Sequence, residues 1–226
     1  MSRVDVSPWK GQSLVRVIVT RPEGQGGELA ERLRTLGHEV VLCPLVRIEP
    51  LGDEPIDVAG YDWVIVTSAN GARELARRLR SRPSRLAAIG SATAAALVEH
   101  GLEADLVPRV STQEGLLAEL PRPAGRVLVA AAESARRLLV DELGADFVPL
   151  YRTIELTPAE PPSGDLVVLA SGSAARAFGA LGLDIPAVSI GPQTTAAANE
   201  AGIRVVAEAA THDVQGLLNA IASLAS

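Results

Sequence analysis

The sequence predicts an α/β protein built from two similar parallel-sheet units, and three observations carry that prediction. Short β-branched or Leu-rich runs alternate with segments of helical periodicity. The runs are apolar at successive positions, as strands covered on both faces require. The chain also repeats itself over most of its length.

The clearest strands are Val15 to Thr20, Trp63 to Thr67, Val127 to Ala130 and Leu166 to Ala170. After the first, Pro22 marks an expected helix start. Leu29, Ala30, Leu33 and Leu36 follow at helical spacing and Gly37 stops the helix. Gly101 and Gly202 stop two later helices in the same way. Residues 1 to 13 read as a loose tail.

Arg16-Val-Ile-Val-Thr20 aligns with Arg126-Val-Leu-Val-Ala130, and Pro44-Leu-Val-Arg47 with Pro149-Leu-Tyr-Arg152. Residues Tyr61 to Arg73 answer Gly164 to Arg176, Ala88 to Thr93 answer Ser189 to Thr194, and Gly115-Leu-Leu117 answers Gly216-Leu-Leu218. Two arrangements fit this duplication. In one, the copies fold in tandem with a boundary near Pro121 to Gly125. In the other, Val40 to Leu51 and Phe147 to Leu156 are paired linker strands through which the chain crosses between domains. The Pro-rich stretch from Thr157 to Gly164 favours a boundary there.

Composition narrows the function. The chain has 226 residues, 47% hydrophobic and 21% charged, enough apolar surface for one large or two compact cores. Only 3% is aromatic, which leaves few stacking platforms for single-stranded nucleic acid, and the net charge of -6 argues against a phosphate-binding face or an anionic-membrane surface. Twenty arginines stand beside the single Lys10, so planar donors for carboxylates are plentiful and a Schiff-base lysine is disfavoured. Cys43 is the one cysteine, no Cys/His spacing resembles a zinc site, and no apolar stretch reaches spanning length. A reducing, cytoplasmic location, with no metal and no membrane or nucleic-acid partner, is expected.

Open parallel sheets bind ligands at the carboxyl ends of their strands, where the next helix presents free amides and its positive end. Here those positions hold Thr20 and Arg21; Thr67, Ser68 and Asn70; Gly90 and Thr93; Ser171, Gly172 and Ser173; and Gly191 and Thr194. Ser, Thr and Asn are also preferred N-caps, so each one singly reads first as a cap; the set of five such turns carries the functional reading. Gly24-Gln-Gly26 fails as a dinucleotide motif because Leu29 takes the place of the third glycine. Arg73 and Arg176 fall in matching first helical turns and read as solvated. His38, His100 and His212 are scattered, with no triad to join. Tyr151 either offers a phenol to a cleft or packs between domains, and packing is the simpler reading.

Val17-Ile-Val-Thr-Arg-Pro22, Tyr61 to Gly71, Ala88-Ile-Gly-Ser-Ala-Thr93, Leu150-Tyr-Arg-Thr153 and Ile190-Gly-Pro-Gln-Thr194 stand in an order and spacing that together resemble the uroporphyrinogen-III synthase family. The likeness runs from residue 15 to about 222. It departs at Ser91, where the family commonly has proline, and at Ala170, where threonine is usual. The resemblance implies two parallel-sheet α/β domains joined by a two-stranded linker, one of them discontinuous, with an active cleft between them. The first domain would be 1–42 plus 163–226 and the second 53–148, with 43–52 and 149–162 as linker strands.

The reaction implied by the resemblance needs no cofactor. Hydroxymethylbilane, a linear tetrapyrrole, loses water and closes with inversion of its terminal ring to give uroporphyrinogen III. The hydroxyl leaves readily from an electron-rich pyrrole as an azafulvene cation forms, and inversion proceeds through a spiro intermediate, so the task is chiefly one of positioning. By residue matching, Thr67, Ser68, Asn70, Ser171, Ser173 and Thr194 would hold substrate carboxylates, and Tyr151 would assist departure of the hydroxyl. A monomer is expected, in at most transient contact with the enzyme that produces hydroxymethylbilane. The competing reading is a two-domain regulatory module that binds an anionic ligand without catalysis.

Overall fold

The computed structural model describes residues 14–224, and the expected loose tail lies outside the described residues. The elements in chain order are β1 (Arg16–Val19), α1 (Gly27–Thr35), β2 (Glu39–Leu42), β3 (Val46–Pro50), β4 (Trp63–Val66), α2 (Ala69–Arg78), β5 (Leu86–Ala88), α3 (Ser91–Val98) and α4 (Gln113–Glu119). They continue with β6 (Val127–Ala132), α5 (Leu138–Leu143), β7 (Asp146–Glu155), β8 (Leu166–Leu169), α6 (Gly172–Gly179), β9 (Ala187–Ser189), α7 (Pro192–Glu200), β10 (Val205–Glu208) and α8 (Val214–Ser223). The four strands expected from the apolar runs are β1, β4, β6 and β8.

The chain divides into two compact units. One is built from the described chain up to Arg47 and from Ile154 onward; the other is the continuous segment Ile48–Thr153. The first unit's sheet has the order β10-β9-β8-β1-β2, all pairs parallel. The second sheet has the order β3-β7-β6-β4-β5, with β7-β6-β4-β5 parallel. Edge strand β3 runs against β7: the Leu51 amide donates to the Leu150 carbonyl at 2.9 Å and the Leu156 amide to the Leu45 carbonyl at 2.8 Å.

The internal repeat maps onto these sheets position by position. Strand β1 repeats as β6, β8 repeats β4, and β9 repeats β5, so both sheets read the same way once repeated strands are equated. Where β10 closes the first sheet, the second has only an isolated parallel bridge between Ala87 and Leu106. The duplicated pieces are therefore interleaved: each sheet takes its β1-type strand from one copy and its β8-type strand from the other.

Alternate residues of the central strands face different cores. Val17, Val19, Leu166 and Val168 pack with Leu29, Leu33, Leu217 and Ile221, while Ile18, Val167 and Leu169 pack with Phe178, Ala198 and Ile203. The second sheet does the same, with Val64, Val66 and Leu128 on one face and Trp63, Ile65, Val127 and Val129 on the other. Burial on both faces is the reason these strands read as unbroken apolar runs.

One boundary departs from the sequence reading. Helix α1 begins at Gly27, not at Pro22. The Pro22 carbonyl instead accepts the Gln25 amide at 2.9 Å in a turn whose Gly24 has φ +77°, so the chain reaches helical geometry only after the turn. Gly37, Gly101 and Gly202 end α1, α3 and α7 with φ of +92°, +70° and +76°, the left-handed conformation expected of helix-stopping glycines.

Candidate active site

Because the sheets are parallel, the carboxyl ends of their strands fall along one edge of each unit. In the first unit that edge carries Thr20-Arg21 after β1, Ser171–Ser173 after β8 and Gly191–Thr194 after β9. In the second it carries Thr67–Asn70 after β4 and Gly90–Thr93 after β5. Tyr151 lies on the same edge, since β7 meets the last residue of β6 in the pair Ala132 with Tyr151. In the first unit the strand order reverses between β1 and β8, and in the second between the equivalent β6 and β4. Such switch points are where doubly wound sheets open a crevice.

The helices that follow β4 and β8 are each capped by a serine. Ser68 Oγ accepts the Gly71 amide at 2.9 Å, and Ser171 Oγ accepts the Ala174 amide at 3.2 Å. The first turns of α2 and α6 still present amides that no carbonyl of the helix can meet. Asn70 and Ser173 sit in those turns; Arg73 donates to Asn70 Oδ1 at 3.4 Å and Arg176 to Ser173 Oγ at 3.2 Å. Both arginines are partly exposed and also ion-paired, Arg73 with Glu99 at 3.9 Å and Arg176 with Glu155 at 3.2 Å. Gly172 lets α6 approach α7, since a Cβ there would meet Ala197 Cβ at 3.3 Å.

Gly90 and Gly191 precede α3 and α7 and serve a second purpose. A Cβ on Gly90 would lie 2.6 Å from Ser111 Oγ, and one on Gly191 would lie 2.5 Å from His212 Nε2. Ser111 and His212 are equivalent in the repeat, and each immediately precedes the N-cap of the next helix, Thr112 or Asp213. His212 is thereby set against a strand-end turn, which its isolated position in the sequence gave no reason to expect. The amides of Thr93 and Thr194 donate to the carbonyls of Gly90 and Gly191 at 3.1 and 3.0 Å, and both threonines are buried. Beside Thr194, Thr195 Oγ1 joins Ser189 Oγ, at 2.6 Å, to the Glu208 carboxylate, tying α7 to the ends of β9 and β10. Sequence reading passed over this trio because its members are spread across three elements.

Thr20 differs from the other candidates. It is fully buried, and its hydroxyl donates to the Val168 carbonyl at 2.8 Å, bridging β1 and β8 at the switch point. Its side chain is part of the sheet, and Arg21, half-buried, is the first residue beyond it.

Tyr151 packs and is polar at once. It is 6% exposed in a core with Leu150, Ala130 and Val66, and its Oη lies 2.9 Å from Ser68 Oγ. Burial pushes the phenol above its ordinary pKa, and the Ser68 hydrogen bond opposes that rise. The group therefore stays protonated through the neutral range. The Tyr151 carbonyl also accepts the Glu133 amide at 2.8 Å. Next to it, Arg152 Nε is a buried donor without a hydrogen-bond partner, held at 3.5 Å from Glu133 and 3.9 Å from Glu49. Among the described residues no group of three or more His, Cys, Asp or Glu is arranged to hold a metal ion, and no helix is long and apolar enough to cross a membrane.

Comparison with known proteins converges on one family. The family model described as uroporphyrinogen-III synthase HemD matches residues 27–219. The chain is 29% identical to the uroporphyrinogen-III synthase of Synechococcus elongatus, over 91% of this chain and 93% of that one. It is 31% identical to the porphyrin biosynthesis protein HemD of Ruminiclostridium josui, over 88% of this chain and 46% of that longer one. A crystal structure of a mutant uroporphyrinogen III synthase from the extreme thermophile Thermus thermophilus superposes with a TM-score of 0.62 at 19% identity, covering 93% of this chain and 98% of that chain, so the two-unit α/β fold is shared. With a family model matched over most of its length, the chain belongs to the uroporphyrinogen-III synthase family.

Proposed function

We propose that this enzyme cyclises hydroxymethylbilane with loss of water and inversion of the terminal pyrrole ring, yielding uroporphyrinogen III. The observation that carries the reading is the protonated phenol of Tyr151, fixed by Ser68 at the carboxyl edge of a parallel sheet. As the C–O bond of the hydroxymethyl group breaks, Tyr151 gives its proton to the departing oxygen and water leaves. The azafulvene cation is then attacked by the substituted carbon of the terminal ring to form a spiro intermediate; the bond from that carbon to its original methylene bridge breaks, and the bridge re-forms at the ring's free α-carbon, which inverts the ring. The proton lost when the closed macrocycle regains aromaticity returns to the phenolate. A positioned general acid contributes about 10²- to 10⁴-fold. The larger task is to hold a flexible chain so that the substituted carbon reacts first.

The protein carries a net charge of -6 and the substrate is a polycarboxylate, so affinity has to come from local donors. We assign this role to the strand-end set: Thr67, Ser68 and Asn70; Gly90 and Thr93; Ser171, Gly172 and Ser173; Gly191 and Thr194; and Arg21. Thr20 would contribute through its backbone, since its hydroxyl is committed to Val168. Each charge-assisted hydrogen bond nets about 1.5–3 kcal/mol, so a few suffice for binding. We also read 1–42 with 163–226 and 53–148 as the two domains, with 43–52 and 149–162 as linker strands. The compact units divide inside those linkers, at Arg47 and Thr153. A monomer in the cytoplasm, meeting the enzyme that supplies its substrate only transiently, completes the reading.

The test is to supply freshly generated hydroxymethylbilane, oxidise the products and separate porphyrin isomers I and III by chromatography. Protein-dependent isomer III is the expected outcome. Isomer I alone, at the uncatalysed rate with folded protein, would overturn the proposal in favour of a binding module.

A further inference from the structure

Ser68 Oγ serves two partners at once: it accepts the Gly71 amide, and in its contact with Tyr151 Oη either hydroxyl can be the donor. The oxygen accepts the Gly71 amide at 2.9 Å, the bond that caps α2, which leaves one hydrogen and one lone pair for Tyr151 Oη at 2.9 Å. If Tyr151 donates, Ser68 receives two donors, its own hydrogen meets no acceptor among the described residues, and the phenol's proton is turned away from any ligand. If Ser68 donates, the amide, the serine and the phenol oxygen are all paired, and the one hydrogen left over is the Tyr151 proton.

The duplication supplies an independent argument. Ser171 caps α6 as Ser68 caps α2, accepting the Ala174 amide at 3.2 Å. The residue that repeats Tyr151, however, is Val46, buried and unable to hydrogen-bond through its side chain. Capping accounts for a serine at both positions. It does not account for a second hydroxyl, buried in an apolar core, at only one of them.

We propose that Ser68 is a positioning residue for Tyr151: it donates its hydroxyl hydrogen to Tyr151 Oη, which aims the phenol's own proton at the leaving hydroxyl and then stabilises the phenolate that forms. This rests on the cyclisation reading above and changes the part Ser68 plays in it, from a donor to substrate carboxylate to a donor to the general acid. The cycle balances. The Tyr151 O–H bond breaks as the substrate C–O bond breaks, water carries away the transferred proton, and the proton released at aromatisation restores the phenol. Ser68 keeps its hydrogen throughout.

The test is a double-mutant cycle on kcat for isomer III formation, with Ser68→Gly, Tyr151→Phe and the double variant. Glycine is tolerated at an N-cap at a cost of only a few tenths of a kcal/mol, so this variant removes the hydroxyl while sparing the helix. We expect Ser68→Gly to lower kcat by about 10- to 100-fold with KM changed less than about threefold, a share of the roughly 10²- to 10⁴-fold available from general acid help. In the Tyr151→Phe background the same change should cost less than about twofold, because the group it positions is gone. Ser68→Thr, which restores a hydroxyl, should recover most of the rate. Thr112→Gly removes the corresponding cap of α4, where Thr112 accepts the Gly115 amide at 3.0 Å; it controls for cap loss and should leave kcat within about twofold. Equal losses in both backgrounds, a raised KM at unchanged kcat, or no effect of Ser68→Gly would each overturn the proposal while the wild type still makes isomer III. If the wild type makes none, the cyclisation reading itself falls, which is a separate result.

Discussion

Thr20 and Tyr151 show how the same physical demand gives opposite outcomes at neighbouring kinds of position. Each is a buried hydroxyl that needs a partner. Thr20 finds the Val168 carbonyl and spends its donor inside the sheet, whereas Tyr151 finds another hydroxyl, that of Ser68, and in the proposed arrangement keeps its proton available. Thr20→Val should therefore lower stability by about 0.5–1.5 kcal/mol, read from denaturant midpoints, with kcat unchanged; a large loss of turnover in folded protein would return its hydroxyl to the chemistry. Tyr151→Phe should slow isomer III formation without abolishing it. Activity below about a thousandth of wild type would contradict a mechanism in which positioning supplies most of the acceleration. Charge at the surface behaves more simply. The bidentate contact of Arg136 with Glu114, at 2.9 and 3.0 Å, holds that carboxyl at about 2, against 4.5 in an unpaired chain. Between those values the unfolded chain binds the extra proton, so the pair's contribution is whole above about pH 4.5 and fades as pH falls toward 2. Both side chains are largely exposed, which keeps the effect small. The stability difference between wild type and Glu114→Gln should accordingly shrink from pH 6 to pH 3.

At the scale of the element, the turns that carry the candidate site are built from glycines with different reasons to be glycine. Gly115 and Gly216 sit in the first turns of α4 and α8, where a Cβ would fall 2.1 Å from the carbonyl oxygens of Val110 and Thr211. Those oxygens are backbone and cannot swing aside. Alanine at either position should cost about 2–3 kcal/mol, at the upper end of single substitutions, and by similar amounts because the two loops are copies. Gly27, the first residue of α1, has no left-handed φ, and a methyl added there would meet nothing within 4 Å. Gly27→Ala should stabilise by about 0.4–1 kcal/mol. Thermal or denaturant unfolding of the three variants separates these cases, and a destabilised Gly27→Ala would show that this turn is more crowded than it looks. The same turns explain how much of the site was legible. Ser68, Ser171, Gly90 and Gly191 could be read from the chain because strand ends and helix caps have local signatures. The contacts of Ser111 with Gly90 and of His212 with Gly191, and the Ser189-Thr195-Glu208 trio, join residues 6 to 21 positions apart and leave no local pattern.

For the whole molecule, the interleaving of the two copies has a consequence that a tandem duplication would not. All four buried clusters lie within single units: two inside residues 48–153 and two inside the complementary segments. A fragment of residues 48–153 should thus fold cooperatively on its own. A fragment of residues 1–121, which holds one complete sequence repeat, should not, because it contains β1 without β8 and β4 without β6. Circular dichroism and denaturant unfolding of the two fragments would decide it, and a cooperatively folded 1–121 would sink this account of the cores.

The order of residues alone dictates that the strands are parallel and doubly covered, that the chain is duplicated, and which residues fall at strand ends. Those properties are local or periodic: successive apolar residues, helix caps and a repeated order of motifs. It misplaces the start of α1, because the turn from Pro22 to Gln25 competes with the helix and only its closure shows which prevails. It also leaves the partners of each hydroxyl undecided. Whether Tyr151 packs or donates depends on Ser68, 83 residues earlier, and whether Thr20 is a donor depends on Val168, 148 residues later. Such matters are settled by the folded chain, because a hydrogen bond is fixed by position in space to a few tenths of an ångström, while a sequence fixes only the order in which its donors and acceptors arrive.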